Sequence, residues 1–284
     1  GKYAAPMLHT LIWLFASTLG SLLLAALLLH ALPKVGLGGL TRWLAHAPGL
    51  DLAVAYFTVA PLVVAVVVAV NARADTNAWA AAGLGLLTAV LAQIAATLLW
   101  GWAHELANPR ARRGPRIVAT LNRNVGRGRN HLAVWWTAWA VPIFAIVRVA
   151  ELFVYPPLIW LVKFPRYRQS EWVNISRHKF DGLVGHDLIW CLYCDWMTGV
   201  WSLGTEMLRN VESFWCPIRF DSTKKCDNCA IDFPDINGGW VASDKSMADV
   251  IAVIEAKYPR DSTTNAWFAH PVRLTREGQE IASD

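Results

Sequence analysis

Leu8-His-Thr-Leu-Ile-Trp-Leu-Phe-Ala-Ser-Thr-Leu-Gly-Ser-Leu-Leu-Leu-Ala-Ala-Leu-Leu-Leu-His-Ala-Leu32 runs for about 25 residues without a charge. At about 1.5 Å per residue such a helix crosses a hydrocarbon core of ~30 Å. Pro33, Lys34 and the glycines at 36, 38 and 39 stop it. Two more runs come after it: Leu52 to Val70, rich in valine and ended by Asn71 and Arg73, and Trp79 to Trp102, closed by His104 and Glu105. Three transmembrane helices are therefore expected within residues 1–107. The first run is too long for the apolar part of a signal peptide and lacks a small-x-small cleavage site, so it reads as a retained helix.

The composition agrees. Hydrophobic residues make up 55% of the chain and charged ones 17%, where a soluble domain carries about a quarter charged; mean hydropathy is +0.33. The excess lies in residues 1–162, while residues 163–284 read as ordinary soluble protein. The expected fold is mainly α: a polytopic membrane protein with a small α+β Cys-rich C-terminal domain.

Between the third run and the next apolar stretch lies a basic segment, residues 108–131, with Arg110, Arg112, Arg113, Arg116, Arg123, Arg127 and Arg129 against the single Glu105. Arginines this close to a membrane end place the segment in the cytoplasm, and alternation puts the N-terminus outside. Contact with anionic lipid is the expectation for these seven side chains. A phosphate or nucleic-acid site would need a phosphate-loop spacing or interleaved aromatics, and neither is present. The net charge of +5 is accounted for in the same way, so no nucleic-acid partner is expected.

Residues 132–162 are ambiguous. One straight helix would be ~46 Å long and two full spans would need about 40 residues. The stretch contains Pro142, Pro156 and Pro157, the i,i+3 pair Arg148 and Glu151, and headgroup-favouring Trp135, Trp136, Trp139, Tyr155 and Trp160. Basic residues on both flanks (Lys163, Arg166 and Arg168 come next) imply that the chain returns to the side it left. The expectation is a re-entrant or interfacial pair of short helices, broken near Arg148, with a single tilted crossing as the competitor. His30 and His104, near span ends, make a bis-histidine haem or a pigment ligand conceivable, but interfacial histidines satisfied by water are the simpler reading.

All five cysteines fall between positions 191 and 229: Cys191-Leu-Tyr-Cys194, Cys216-Pro217 and Cys226-Asp-Asn-Cys229. Two Cys-x-x-Cys pairs place four thiolates around one tetrahedral ion, so Cys191, Cys194, Cys226 and Cys229 are the expected zinc ligands. A disulfide set is disfavoured in the cytoplasm, and an odd count leaves one thiol over. The alternatives are an iron–sulfur cluster recruiting Cys216, or a thiol pair with Cys191 near a helix N-terminus and Cys216 resolving. His186 is a further candidate ligand or base. Around these motifs, residues 164–190 alternate weakly and predict a short strand or two. Trp196, Val200, Leu203, Met207, Val211 and Phe214 recur at helical spacing, and Ser246 reads as the cap of a helix over Met247 to Tyr258.

The functional expectation is a non-catalytic accessory, docking or assembly subunit of a larger complex in a bacterial inner membrane, with membrane lipids and other subunits as partners and its tail, residues 163–284, in the cytoplasm. The rival is a membrane redox component. No nucleotide loop, Ser-His-Asp pattern or His-Glu-x-x-His is present, and the three spans carry no charge that would mark an ion path.

Overall fold

The structure, a computed structural model, describes residues 4–73, 76–219, 221, 239–265, 275–276 and 279–280. It is mainly helical, with several long apolar helices able to span a membrane. The chain divides into two compact units, Gly1–Val141 with Val173–Thr198, and Pro142–Trp172 with Gly199–Asp284.

In the first unit, α1 (Ala4–Ala31), α3 (Gly49–Asn71) and α4 (Ala78–Ala107) form a three-helix bundle, and α2 (Gly38–Leu44) bridges the first two. Most leucines and valines face outward, whereas the core is mainly of small residues: Ala65, Ala69 and Ala89 surround Leu14, with Leu11 and Leu62 against them. Small residues are what a membrane interface needs, because close backbone approach supplies the van der Waals contact that a hydrophobic driving force cannot supply in lipid. The approach is tight at Gly85, where a Cβ would stand 2.5 Å from Ala65 O and 2.8 Å from Ala69 Cβ. Gly85→Val is therefore expected to cost about 1–3 kcal/mol by overpacking, read as a lower unfolding midpoint in detergent. An unchanged midpoint would mean that α3 and α4 do not meet there.

Pro61 lies inside α3. It has no N–H to give the Phe57 carbonyl four residues earlier, an omission that is costly in a helix interior. Gln93 of α4 supplies the missing donor: its Nε2 donates to Phe57 O and to Thr58 O, each at 2.8 Å. A neighbouring helix thus re-satisfies backbone that proline has freed, as a span in lipid requires.

The same unit continues through α5 (Pro109–Arg113), α6 (Ile117–Val125) and α7 (Arg127–Thr137). Instead of the strands expected over 164–190, the described residues there hold α10 (Gln169–Trp172), a 3-10 turn at Arg177–Lys179 and one isolated bridge between His46 and Asn174. Alternation over six residues is too short to pair without a partner strand beside it. An α+β C-terminal domain is accordingly not supported. Beyond that bridge, β structure among the described residues is limited to a bridge between Ile218 and Val241 and the two-residue ladder of Thr275–Arg276 with Gln279–Glu280.

The ambiguous stretch is resolved as three consecutive helices with short breaks: α7, α8 (Ala140–Phe153) and α9 (Tyr155–Val162). Arg127–Val162 is a fourth segment long and apolar enough to cross a membrane, beside Met7–Ala31, Gly49–Asn71 and Ala78–Ala107. The interruptions fall at residues 138–139 and at 154, not near Arg148, which sits inside α8. The prolines explain the difference. Pro142 stands in the first turn of α8 and Pro156-Pro157 in that of α9, where no N–H is required and a fixed φ favours the helix.

In the second unit, α8 turns Ile143, Ile146, Val149 and Phe153 outward and buries its two charges. Arg148 pairs with Glu151 at 2.7 Å and donates to Gln169 Oε1 at 2.7 Å. The second half of α11 (Gly185–Trp215) meets that pair at Gly204, where a Cβ would lie 3.0 Å from Glu151 Oε1. Along this half of α11, Leu203, Glu206, Met207, Asn210 and Ser213 are buried. Asn210 Nδ2 lies 2.5 Å from the Tyr167 hydroxyl, and burial pushes that phenol well above its ordinary pKa. Tyr258, after α12 (Met247–Lys257), donates to Ser213 Oγ at 3.0 Å and packs on Phe214. α12 starts as expected: Ser246 and Asp249 form a reciprocal capping box.

Candidate functional site

The first half of α11, which lies within the first unit, carries most of the chemistry read from the sequence. α11 opens on Gly185, held at φ +56°. Its N–H donates to His104 Nδ1 at 3.2 Å, and the Glu105 side chain occupies the space a Cβ would need. Only glycine combines that backbone conformation with that contact.

Beside this start stands Arg116. Its Nε donates to Asp187 Oδ2 at 2.8 Å and its Nη2 to Glu105 Oε1 at 2.8 Å, with a further bond to Val184 O at 3.2 Å. Asp187 Oδ1 accepts the Val118 N–H at 3.0 Å, satisfying an orphan donor in the first turn of α6. One guanidinium thereby ties the end of α4, the start of α6 and the start of α11. Burial works against the Arg116 charge, but its hydrogen bonds and charge contacts with Glu105 and Asp187 outweigh it and raise its pKa. Arg116 thus departs from the lipid-facing role expected for all seven arginines, because two carboxylates are within reach of its fork. Arg110, Arg112, Arg113, Arg123, Arg127 and Arg129 line the same segment without such a clamp, and all but Arg110 and Arg112 lie beyond the end of α5 or at its last residue.

The histidines pack as rings. His30, Trp100 and His104 stack, with His30 and His104 centroids 5.3 Å apart and planes 29° from parallel. Faces rather than ring edges confront each other. His186 sits edge-on to His131 at 5.2 Å, and its Nε2 accepts the Trp190 indole N–H at 3.1 Å. Burial first, then His131, lowers its pKa. With its Nε2 lone pair taken, His186 is poorly placed to ligate or act as a base through that nitrogen.

Cys191 and Cys194 are free thiols one turn apart, in the second and third turns of α11. The helix begins at Gly185, earlier than the spacing predicts, so neither thiol sits at the N-terminal dipole. Cys194 is exposed and Cys191 half-buried. The Arg177 guanidinium approaches Asp195 at 3.8 Å, and the neighbouring Cys194 raises the arginine pKa. Asp195 in turn accepts the backbone N–H groups of Ser176 and Arg177 at 2.6 and 3.0 Å. Burial pushes the Cys191 thiol pKa up, despite Arg177. Cys216 comes directly after the last residue of α11 and belongs to the second unit; Cys226 and Cys229 lie outside the described residues. Among the described residues no three His, Cys, Asp or Glu side chains converge as a metal set.

The residues that organise this region, Glu105, Asp187 and Gly185, are not visible as a set from spacing. In the sequence His186-Asp187 stands out only as a neighbour of the cysteines. The nearest signal is an acidic residue in the first turn of a helix with arginines elsewhere in the chain. No protein-family model, no curated protein and no solved structure matches the chain.

Proposed function

We propose that this chain is a non-catalytic anchoring and docking subunit of a larger membrane complex, with zinc held by Cys191, Cys194, Cys226 and Cys229. Its place is a bacterial inner membrane, with the C-terminal residues on the arginine-rich cytoplasmic side. The observation that carries the reading is the thiol pair on α11: two reduced sulfurs one turn apart on a helix whose start is locked by Arg116, Glu105 and Asp187. Half of a tetrahedral site is thereby held on a rigid element before metal arrives. The second pair, with the same x-x spacing, would complete it, and binding would add folding free energy to the region.

The redox alternative needs a thiol that ionises readily. The raised pKa of Cys191 disfavours it as the attacking group. The anchoring role draws support from the outward apolar faces of the long helices and from buried charges tied together, Arg116 with Glu105 and Asp187, and Arg148 with Glu151.

Elemental analysis of the purified full chain in detergent tests the proposal, together with its absorption spectrum. About one zinc per chain and no visible band are expected, with zinc lost in Cys191→Ser and in Cys226→Ser alike. A brown or haem-like spectrum would replace zinc by the redox reading. A zinc-free chain that folds normally and loses only thiol reactivity in Cys191→Ser would do the same.

A further inference from the structure

The α6 helix has an apolar flank turned away from the protein. Ile117, Leu121 and Val125 recur at i, i+4 and i+8 and form one stripe, 53%, 39% and 50% exposed. The protein-facing side of the helix carries Val118 and Asn122, the latter accepting from Asn130 Nδ2 at 2.9 Å. Ala119, Thr120 and Arg123 occupy the other exposed flank. Beside the stripe, Phe180 is 73% exposed and lines one cavity of about 290 Å³ together with Ile117.

Along the chain on either side of this stripe the charge is basic, while the cavity it shares with Phe180 also carries Asp181 and the Arg116-bound Asp187. No acidic residue occurs between Glu105 and Glu151, whereas Arg110, Arg113, Arg123, Arg127 and Arg129 all fall there. The orientation of α6 is built in, because Arg116 and the Asp187–Val118 hydrogen bond clamp its first turn to α4 and α11. The helix starts shortly after the end of a membrane-length helix, Ala107 to Ile117, so the bilayer surface is within reach of the short linker.

We infer that α6 lies along an anionic lipid surface, with Ile117, Leu121, Val125 and Phe180 seated among the upper acyl chains and the arginines on headgroup phosphates. An apolar stripe flanked by basic residues, of modest length and low overall hydrophobicity, is the form of an in-plane interfacial helix. Each arginine near such a surface adds attraction that falls away within a Debye length. A folded protein partner would leave the excess of arginines in residues 108–131 unanswered unless it were acidic. A lipid surface answers both features at once.

A photo-crosslinker tests this, introduced as Leu121→p-benzoylphenylalanine in the full chain and compared with Ala119→p-benzoylphenylalanine on the opposite flank. Both are reconstituted into phosphatidylcholine vesicles with and without phosphatidylglycerol. Lipid adducts at position 121 are expected at about fivefold or more over position 119 when phosphatidylglycerol is present. That excess is expected to fall in an Arg110→Gln/Arg113→Gln/Arg123→Gln background. Adducts with a second copy or another protein overturn the inference, as do equal lipid adducts at the two positions or an excess indifferent to phosphatidylglycerol.

Discussion

Arg116→Met is expected to lower the unfolding free energy by about 3–5 kcal/mol, the range for removing one partner from a buried ion pair. Location decides the magnitude. An exposed pair contributes at most about 1 kcal/mol, but the Arg116 and Asp187 side chains are 8% and 5% exposed, and Glu105 is 23% exposed. Methionine fills the volume yet leaves two carboxylates facing each other without a cation. Asp187, the more buried, bears most of the penalty, and its bond to Val118 at the start of α6 loses its electrostatic support. Lysine is a poor substitute, because one ammonium cannot reproduce donation from Nε and Nη2 to two different carboxylates. Adding Glu105→Gln and Asp187→Asn to Arg116→Met should recover a large part of the loss, since neutral amides tolerate the site without a cation. Denaturant unfolding of these variants in detergent checks this. A loss below about 1 kcal/mol for Arg116→Met would assign the network to the solvated surface.

Arg148→Met is expected to cost a similar ~3–5 kcal/mol, for a pair drier still: the two side chains are 4% and 3% exposed and their atoms meet at 2.7 Å. The Glu151 carboxylate also lies close against α11 at Gly204, where a Cβ would stand 3.0 Å from its Oε1. Replacing both partners, Arg148→Met with Glu151→Met, should be close to neutral, because burying two charges costs nearly what their attraction returns. A double-mutant cycle by thermal unfolding measures the coupling. Additive losses would show that the two side chains act independently, contrary to the geometry.

Much of the architecture is legible in the sequence because lipid imposes a simple rule on composition. The run ending at Leu32 is a helix to Ala31, and Ser246 caps the helix assigned to it. Reading fails where the cause is distant in sequence. Asp187 is 71 positions from Arg116, so no local spacing can single out that arginine from its neighbours in the segment and turn it inward. The break expected near Arg148 falls instead at 138–139 and at 154, just ahead of Pro142 and Pro156-Pro157, each of which occupies a first turn. The alternation around Val173 predicts a strand, and Val173 is indeed fully buried, but among the described residues the backbone there makes the isolated bridge between Asn174 and His46 and no strand. The pairing of Arg148 with Glu151 follows directly from their i,i+3 spacing, while the surrounding Gln169 and Gly204 do not. Of the cysteines, the spacing of 191 and 194 is enough to place both on one element; their relation to Cys226 and Cys229 depends on residues outside the described ones.

The amide that Gln93 lends to Phe57 and Thr58 also binds two positions into a shared history. While Pro61 is present, losing the Gln93 amide leaves the Phe57 carbonyl without that donor. If Pro61 were lost by mutation, α3 would regain its own donor, and Gln93 would be released to drift toward leucine. Chains descended from this one that keep Pro61 should therefore keep Gln93 as well.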